Sequence, residues 1–416
     1  MRCESMRETI VERTQVATIS LVDSSIESIR ENDVVRTGLR LYANQRIGVA
    51  GALGACDPAE LEQRARRAHD LAIPYPYPLE ADRKRQVTLP CNLTDAGRGL
   101  EEAEIILREL RDHEDFRFSG KIKLISEIEE HANDRGLDLC YEQDLVTLSL
   151  IFKETNSGSI MDGHVGYFGR DYQREDFVEH VREVLEAYRN RVELPKEEKM
   201  PVVMVARDSG MDSPYSFFAH ALNARSFATG ASPLSKHHGN KVFSDRFTLW
   251  QCRDPEAMLG AFFDSEGVVL EGDRYPLIEA GRVVTPYTDK KSAADFDLPH
   301  TGAASAAYDG LPSLGCPPFE AGESEWTIAE LLNGRNAVFV FLSQGGDFTP
   351  DGQFASPVQL AFLFDGRRLI GRLPPLKISS TVFEMFGDAF IGISKDTWPT
   401  ISNHHLLATT MKITAT

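Results

Sequence analysis

With 416 residues the chain is long enough for two or three domains and a sizeable core. Apolar residues make up 42% and charged residues 26%, the balance of a soluble globular protein. The 63 acidic against 45 basic residues give a net charge of -18, which repels phosphate backbones and disfavours a nucleic-acid partner.

The basic clusters RARR (64–67) and DRKRQ (82–86) are short and sit beside acids, so they are read as solvated faces. Six cysteines, at 3, 56, 91, 140, 252 and 316, form no C-x-x-C pair and are expected to be buried thiols of a reducing compartment. The start lacks the apolar stretch of a signal peptide, and no apolar run nears the roughly 20 residues that span a bilayer. The expectation is a cytoplasmic protein without a membrane partner.

The first fifty residues alternate as strands do, with ANQR as a hairpin turn inside VVRTGLRLYANQRIGVAGAL. A helix follows from Asp57, with Pro58 at its first position and Glu60 completing a capping box. It breaks at PYPYP (74–78), an exposed extended segment by composition. A second helix covers LEEAEIILRELRDH, and a meander then runs through KIKLISEIEEHA, LDLCYEQ, LVTLSLIFKET and IMDGHVGYFGRDY. Phe177, Val181, Val184, Leu185 and Tyr188 fall on one stripe of a third helix. The polar, Pro-punctuated stretch 192–201 marks a boundary between domains 1–194 and 195–416.

The second half opens with the strand PVVMVA and an amphipathic helix across YSFFAHALNARSFATG, 215–230. Mostly strands follow. LAFLFDGRRLIG (360–371) predicts a hairpin turning on Asp365-Gly366, and YPLIEAGRVVTPY a similar pair. TIAELLNG predicts a short helix capped by Thr327 and Glu330 and stopped at Gly334. Strands and helices do not alternate regularly, so the fold class expected is α+β. Nucleophile-elbow and phosphate-loop signatures are absent, and GALGAC (51–56) lacks the spacing of a dinucleotide fingerprint.

Several stretches of the second half resemble the TldD/PmbA family, in its PmbA (TldE) branch. They are FFDSEGVVLEGDRYPLIEAGRVVTPYTDKKSA (262–293), HTGAAS (300–305) and the segment from QGGDFTPDG to GISKDT (344–397). The N-terminal half matches through VVRTGLRLYANQRIGVAG and DPAELEQRARRAHDLA. The resemblance implies two α/β domains, the second rich in antiparallel and mixed strands. It also implies a zinc peptidase in which TldD members carry an H-E-x-x-x-H helix and a late cysteine. TldE members lack these ligands and assemble with a TldD chain into a cytosolic protease for short or unfolded peptides. The family's older label is modulator of DNA gyrase.

A catalytic zinc needs three protein ligands and an open position for water. Laid over the family's helix, FFAHALNA puts Ala219 and Ala224 at the two histidine positions and His220 at the glutamate position, and the tail after Cys316 has no cysteine. No catalytic or metal-binding residue and no cofactor is therefore expected in this chain, with zinc placed in a TldD-like partner of a heterodimer, or a homodimer forming instead. His220 points away from the apolar face and is read as a hydrogen-bonded surface or interface residue. His237-His238 and His404-His405 invite a metal, yet adjacent residues diverge, and only His220, His237 and His404 could converge. Asp264 and Glu266 are either a proton-sharing pair on one strand face or, as preferred, an acidic-Gly turn; Asp347 caps a loop. His220, His237, Asp264, Glu266 and Asp347 are the candidates for lining a cavity. Two rivals stand beside the partner reading: a metallopeptidase using those three histidines, and a modulator of gyrase or another protein without proteolysis. Peptide capture would add the substrate as a strand to a sheet edge, as the resemblance implies.

Overall fold

The computed structural model describes residues 5–206, 214–343, 345–398 and 405–416. The N-terminal half begins with two long strands, β1 (Met6–Val22) and β2 (Ser25–Ala43), then β3 (Arg46–Leu53). Asn44 and Gln45 both have positive φ, 51° and 58°, which is what a two-residue type I′ turn between right-twisted strands requires. Helix α1 (Pro58–His69) starts at the predicted cap with Pro58 in its first turn, but the Asp57 side chain accepts from the Ala59 amide rather than from that of Glu60, so the expected capping box with Glu60 does not form.

The short β4 (Ile73–Pro74), β5 (Lys84–Leu89) and α2 (Ala96–Glu109) follow, then β6 (Phe116–Asn133), β7 (Asp138–Glu154), β8 (Gly163–Gly169) and α3 (Arg174–Arg189). The strands form one sheet in the order β4-β3-β2-β1-β6-β7-β5, with β8 also on β7. LDLCYEQ and LVTLSLIFKET are one 17-residue strand, because nothing interrupts its alternation. The predicted stripe of α3 is buried in full and packs with Ile19, Ile122, Val146 and Leu148 of the sheet. Each such side chain contributes about 1.5–3 kcal/mol. The same core continues into the C-terminal half through Val203, Phe339, Phe362 and Leu406, so α3 lies within a core shared by both halves.

The C-terminal half contains β9 (Lys199–Val205), α4 (Ser216–Ala221), α5 (Ala224–Ala228), β10 (Leu249–Cys252), α6 (Pro255–Met258), β11 (Arg274–Glu279), β12 (Arg282–Val283) and α7 (Lys290–Phe296). Next come β13 (Ala304–Ser305), β14 (Ser313–Leu314), β15 (Phe319–Ala321), α8 (Ile328–Leu332), β16 (Ala337–Ser343), β17 (Asp347–Phe348) and β18 (Gln353–Phe364). The chain ends with β19 (Leu369–Arg372), β20 (Leu376–Thr381), α9 (Val382–Met385), β21 (Phe390–Thr397) and β22 (His405–Ala415). The pairings β16-β9-β22-β20-β18 return to β16, closing a five-stranded ring with β17, β19 and β21 attached outside it. Only the β9–β16 pair in this ring is parallel. A separate sheet runs β12-β11-β10-β15. No helix of the described residues is long and apolar enough to cross a membrane. The architecture is the expected α+β class with antiparallel and mixed sheets.

Four further local expectations are corrected. The helix expected across 215–230 is two short helices, because the Asn223 side chain accepts from the Arg225 and Ser226 amides and caps α5 afresh. The 360–371 hairpin forms, but Phe364 pairs with Leu369 and leaves a four-residue loop. Asp365 causes this by accepting from the amides of Arg367 and Arg368. The two-residue turn occurs instead in the other predicted pair, YPLIEAGRVVTPY, at Ala280 and Gly281, φ 44° and 76°. Finally, PYPYP is not simply exposed, since Tyr75 is buried. The α8 capping box of Thr327 and Glu330 is present, followed by left-handed Asn333 and Gly334.

Candidate functional site

The residues singled out in the sequence fall in three places. The first is the α4–α5 corner. Ala219 is half-buried on α4, Ala224 opens α5 with no exposure, and His220 is exposed. Phe217, Phe218, Ala221 and Leu222 fill the core beneath, Phe218 against Phe243, Phe247 and Phe386. The corner is fixed by Tyr287, whose hydroxyl donates to the Ala219 carbonyl at 2.5 Å while the Asn223 amide donates to it at 3.4 Å. The Cys316 thiol also hydrogen-bonds Tyr287.

A methyl group offers no lone pair, and the two alanines belong to different helices. The residues present at this corner do not fit a zinc ion. Among the described residues, no group of three His, Cys, Asp or Glu side chains could hold a metal.

The second place runs along the C-terminal ring of strands and its flanking loops. His237 ends a single 3-10 turn, Ser235–His237, with its ring edge on Phe383, while His238 contacts the Val284 carbonyl at 2.9 Å. Asp347 is exposed on β17 and lines a cleft of ≈ 730 Å³ with Lys199, Glu384, Asp388 and Lys412. Phe217 of α4 packs on Phe348, so this cleft adjoins the corner. His405 begins β22 and its Nε2 lies 3.4 Å from Glu323. His404 lies outside the described residues.

Asp264 and Glu266 occupy the third place, and there the two halves of the chain are locked together. The FDSEG segment is the tight turn preferred from the sequence: Gly267, at φ 74°, donates to the Asp264 carbonyl at 3.0 Å. Asp264 is buried, and its carboxylate accepts from the amides of Glu266, Val268 and Ala304 at 2.9–3.0 Å. Glu266 is equally buried; its Oε1 accepts from the Tyr75 hydroxyl at 2.8 Å and its Oε2 from the Lys290 amide at 3.1 Å. Burial, and then the charge of Asp264, push the Glu266 carboxyl up to about 7.

Next to the turn lies a buried ionic cluster. Arg40 donates to Glu8 at 3.1 Å and to the Ser265 carbonyl at 2.5 Å, Tyr42 donates to Glu8 at 2.8 Å, and His131 stands 3.1 Å from Glu8. Burial alone would raise the Glu8 carboxyl. The charges and hydrogen bonds of His131, Arg40 and Tyr42 outweigh it and hold the group at about 2.

Glu8, Arg40, Tyr42, His131, Tyr75 and Lys290 were not identified in the sequence. The usable signal was the register: Glu8 faces Arg40 across β1–β2, but only once the turn at Asp23-Ser24, both with positive φ, is placed. Tyr75 and Lys290 reach their partners over gaps of 191 and 24 residues, which no local pattern reveals.

Family models match the chain twice: "PmbA/TldA metallopeptidase domain 1" over residues 8–72 and "PmbA/TldA metallopeptidase C-terminal domain" over residues 197–414. No curated protein matches it. Among solved structures it is similar to TldE from Thermococcus kodakarensis, at 19% identity and TM-score 0.80, covering 99% of this chain and 97% of that one. It is also similar to a candidate modulator of a DNA gyrase from Thermotoga maritima, at 14% identity and TM-score 0.78, covering 99% of this chain and 96% of that one. A third, described likewise and from Bacteroides thetaiotaomicron, has 16% identity and TM-score 0.76, covering 100% and 95%. Identities this low speak for a common fold. The C-terminal model, spanning more than half of the sequence, carries the assignment: the chain belongs to the PmbA/TldD family.

Proposed function

We propose that this chain is the TldE-type subunit of a two-chain cytoplasmic peptidase, in which a TldD-like paralogue holds the zinc and performs hydrolysis. The observation that carries the reading is the α4–α5 corner. Ala219 lies on α4 and Ala224 opens α5; laid over the family's helix, they fall at the two histidine positions and His220 at the glutamate position. In this reading the chain shapes and closes the reaction chamber for short or unfolded peptides, and the catalytic zinc operates from the other subunit. The wild-type partner, not this chain, then responds to chelators.

The test is to mix or co-express this chain with a TldD-like paralogue carrying the intact histidine helix. The expected result is a stable heterodimer whose peptidase activity exceeds that of either part. A persistent failure to associate, or a purified single chain that holds stoichiometric zinc and cleaves peptides unaided, would overturn the assignment.

A further inference from the structure

A cavity of ≈ 300 Å³ lies between the N-terminal sheet and the segments 261–265 and 303–318. Its sheet wall includes Glu12, Glu129 and Arg40, and its opposite wall Arg253 and the small residues Ala303 to Ala307. We propose that this cavity binds a small zwitterion, a free α-amino acid or a dipeptide, with Glu12 and Glu129 on its ammonium and Arg253 and Arg40 on its carboxylate.

The acidic side follows from register. Glu12 on β1 sits directly opposite Glu129 on β6, an arrangement of like charges that costs stability unless a cation joins it. Among the described residues no cation comes within ion-pair distance of either: Arg36, opposite Glu12 on β2, and Arg253, near Glu129, act on them only through their fields. Burial, then the neighbouring Glu12 and Glu127, push the Glu129 carboxyl up to about 7. An ammonium group satisfies both acids with its several N–H donors. A metal ion does not suit, since no three-ligand group exists among the described residues.

The basic side faces it, with Arg253 and Glu129 acting on each other through their fields. Arg40 is only 1% exposed, yet its Nε has no acceptor. Arg253 donates to the Phe263 carbonyl at 2.9 Å and, at 3.4 Å, to that of Gly302, and pairs with no carboxylate among the described residues. Arg253 has further N–H groups that a ligand carboxylate can take, and the buried charge of Arg40 in the same cavity adds to the attraction. The volume is at the small end of ligand pockets, and the alanines leave room for a modest side chain.

Calorimetric titration of the purified full-length chain, without any partner, tests this with L-leucine and L-alanyl-L-alanine as probes. At least one should bind with a Kd of about 1 mM or tighter. N-acetyl-L-leucine, which lacks the ammonium, and L-leucinamide, which lacks the carboxylate, should bind the wild-type chain about tenfold more weakly or worse. Glu129→Gln and Arg253→Gln should each weaken the zwitterionic probe by a similar factor. Absence of binding by both zwitterions, or equal binding by the blocked analogues, would refute the proposal. Because no partner is present, either result leaves the two-chain peptidase reading to its own test.

Discussion

Replacing Glu266 with glutamine tests the electrostatics of the turn that joins the two halves. The carboxyl is 3% exposed and held by the Tyr75 hydroxyl and the Lys290 amide. The Lys290 ammonium is already engaged, 2.8 Å from the Pro78 carbonyl and 3.0 Å from Glu80. Burial and Asp264 therefore lift the group from an ordinary 4.5 to about 7, a difference that corresponds to about 3 kcal/mol. Between these values the folded protein keeps a proton that the unfolded chain has released, so stability falls as pH rises from about 4.5 to about 7 and then levels. Glutamine removes this slope. In urea unfolding at pH 5 and pH 8, the stability of Glu266→Gln relative to wild type should improve by about 3 kcal/mol on going to the higher pH. Parallel pH profiles for the two proteins would refute the reasoning.

Glu8→Gln leaves Arg40 and His131 buried without their counter-charge and should cost about 3–5 kcal/mol, measured by urea unfolding at neutral pH. Since the Glu8 carboxyl titrates at about 2 in the folded state, wild type should also lose stability as pH falls from 4.5 towards 2, and the variant should lose correspondingly less. Gly38→Ala places a methyl 1.8 Å from the Tyr308 carbonyl oxygen, so the sheet and the 303–308 segment cannot keep their contact. The expected cost is about 1–3 kcal/mol, with faster amide exchange at 303–308; unchanged exchange there would count against the packing described.

Elements whose cause is local were legible in the sequence. The Asp57 cap of α1, the capping box of α8, the ANQR turn and the apolar stripe of α3 each depend on residues within a few positions of one another, and each is present, whereas the Glu60 half of the expected α1 box is not. Asn223 and Asp365 misled because their side chains compete with backbone pairing, an effect that periodicity does not register. The site was legible only as a list of residue types. FDSEG could be recognised as a turn, but what makes its carboxylates unusual is their burial beneath Tyr75 and beside Arg40, set by chain-distant contacts. Sequence separation hid these partners, Arg40 within an anticipated strand and Tyr75 in a segment expected to be exposed.

A ring in which β16 meets both β9 and β18 has no selvedge: each of its five members already has neighbours on both flanks. Among the described residues, a guest polypeptide that docks through its main chain is left with β17, β19 or β21 outside the ring, β12 or β15 at the ends of the separate sheet, the β13–β14 pair, or β4, β5 and β8 of the N-terminal sheet. The same closure removes the five ring strands as pairing edges between copies of the chain.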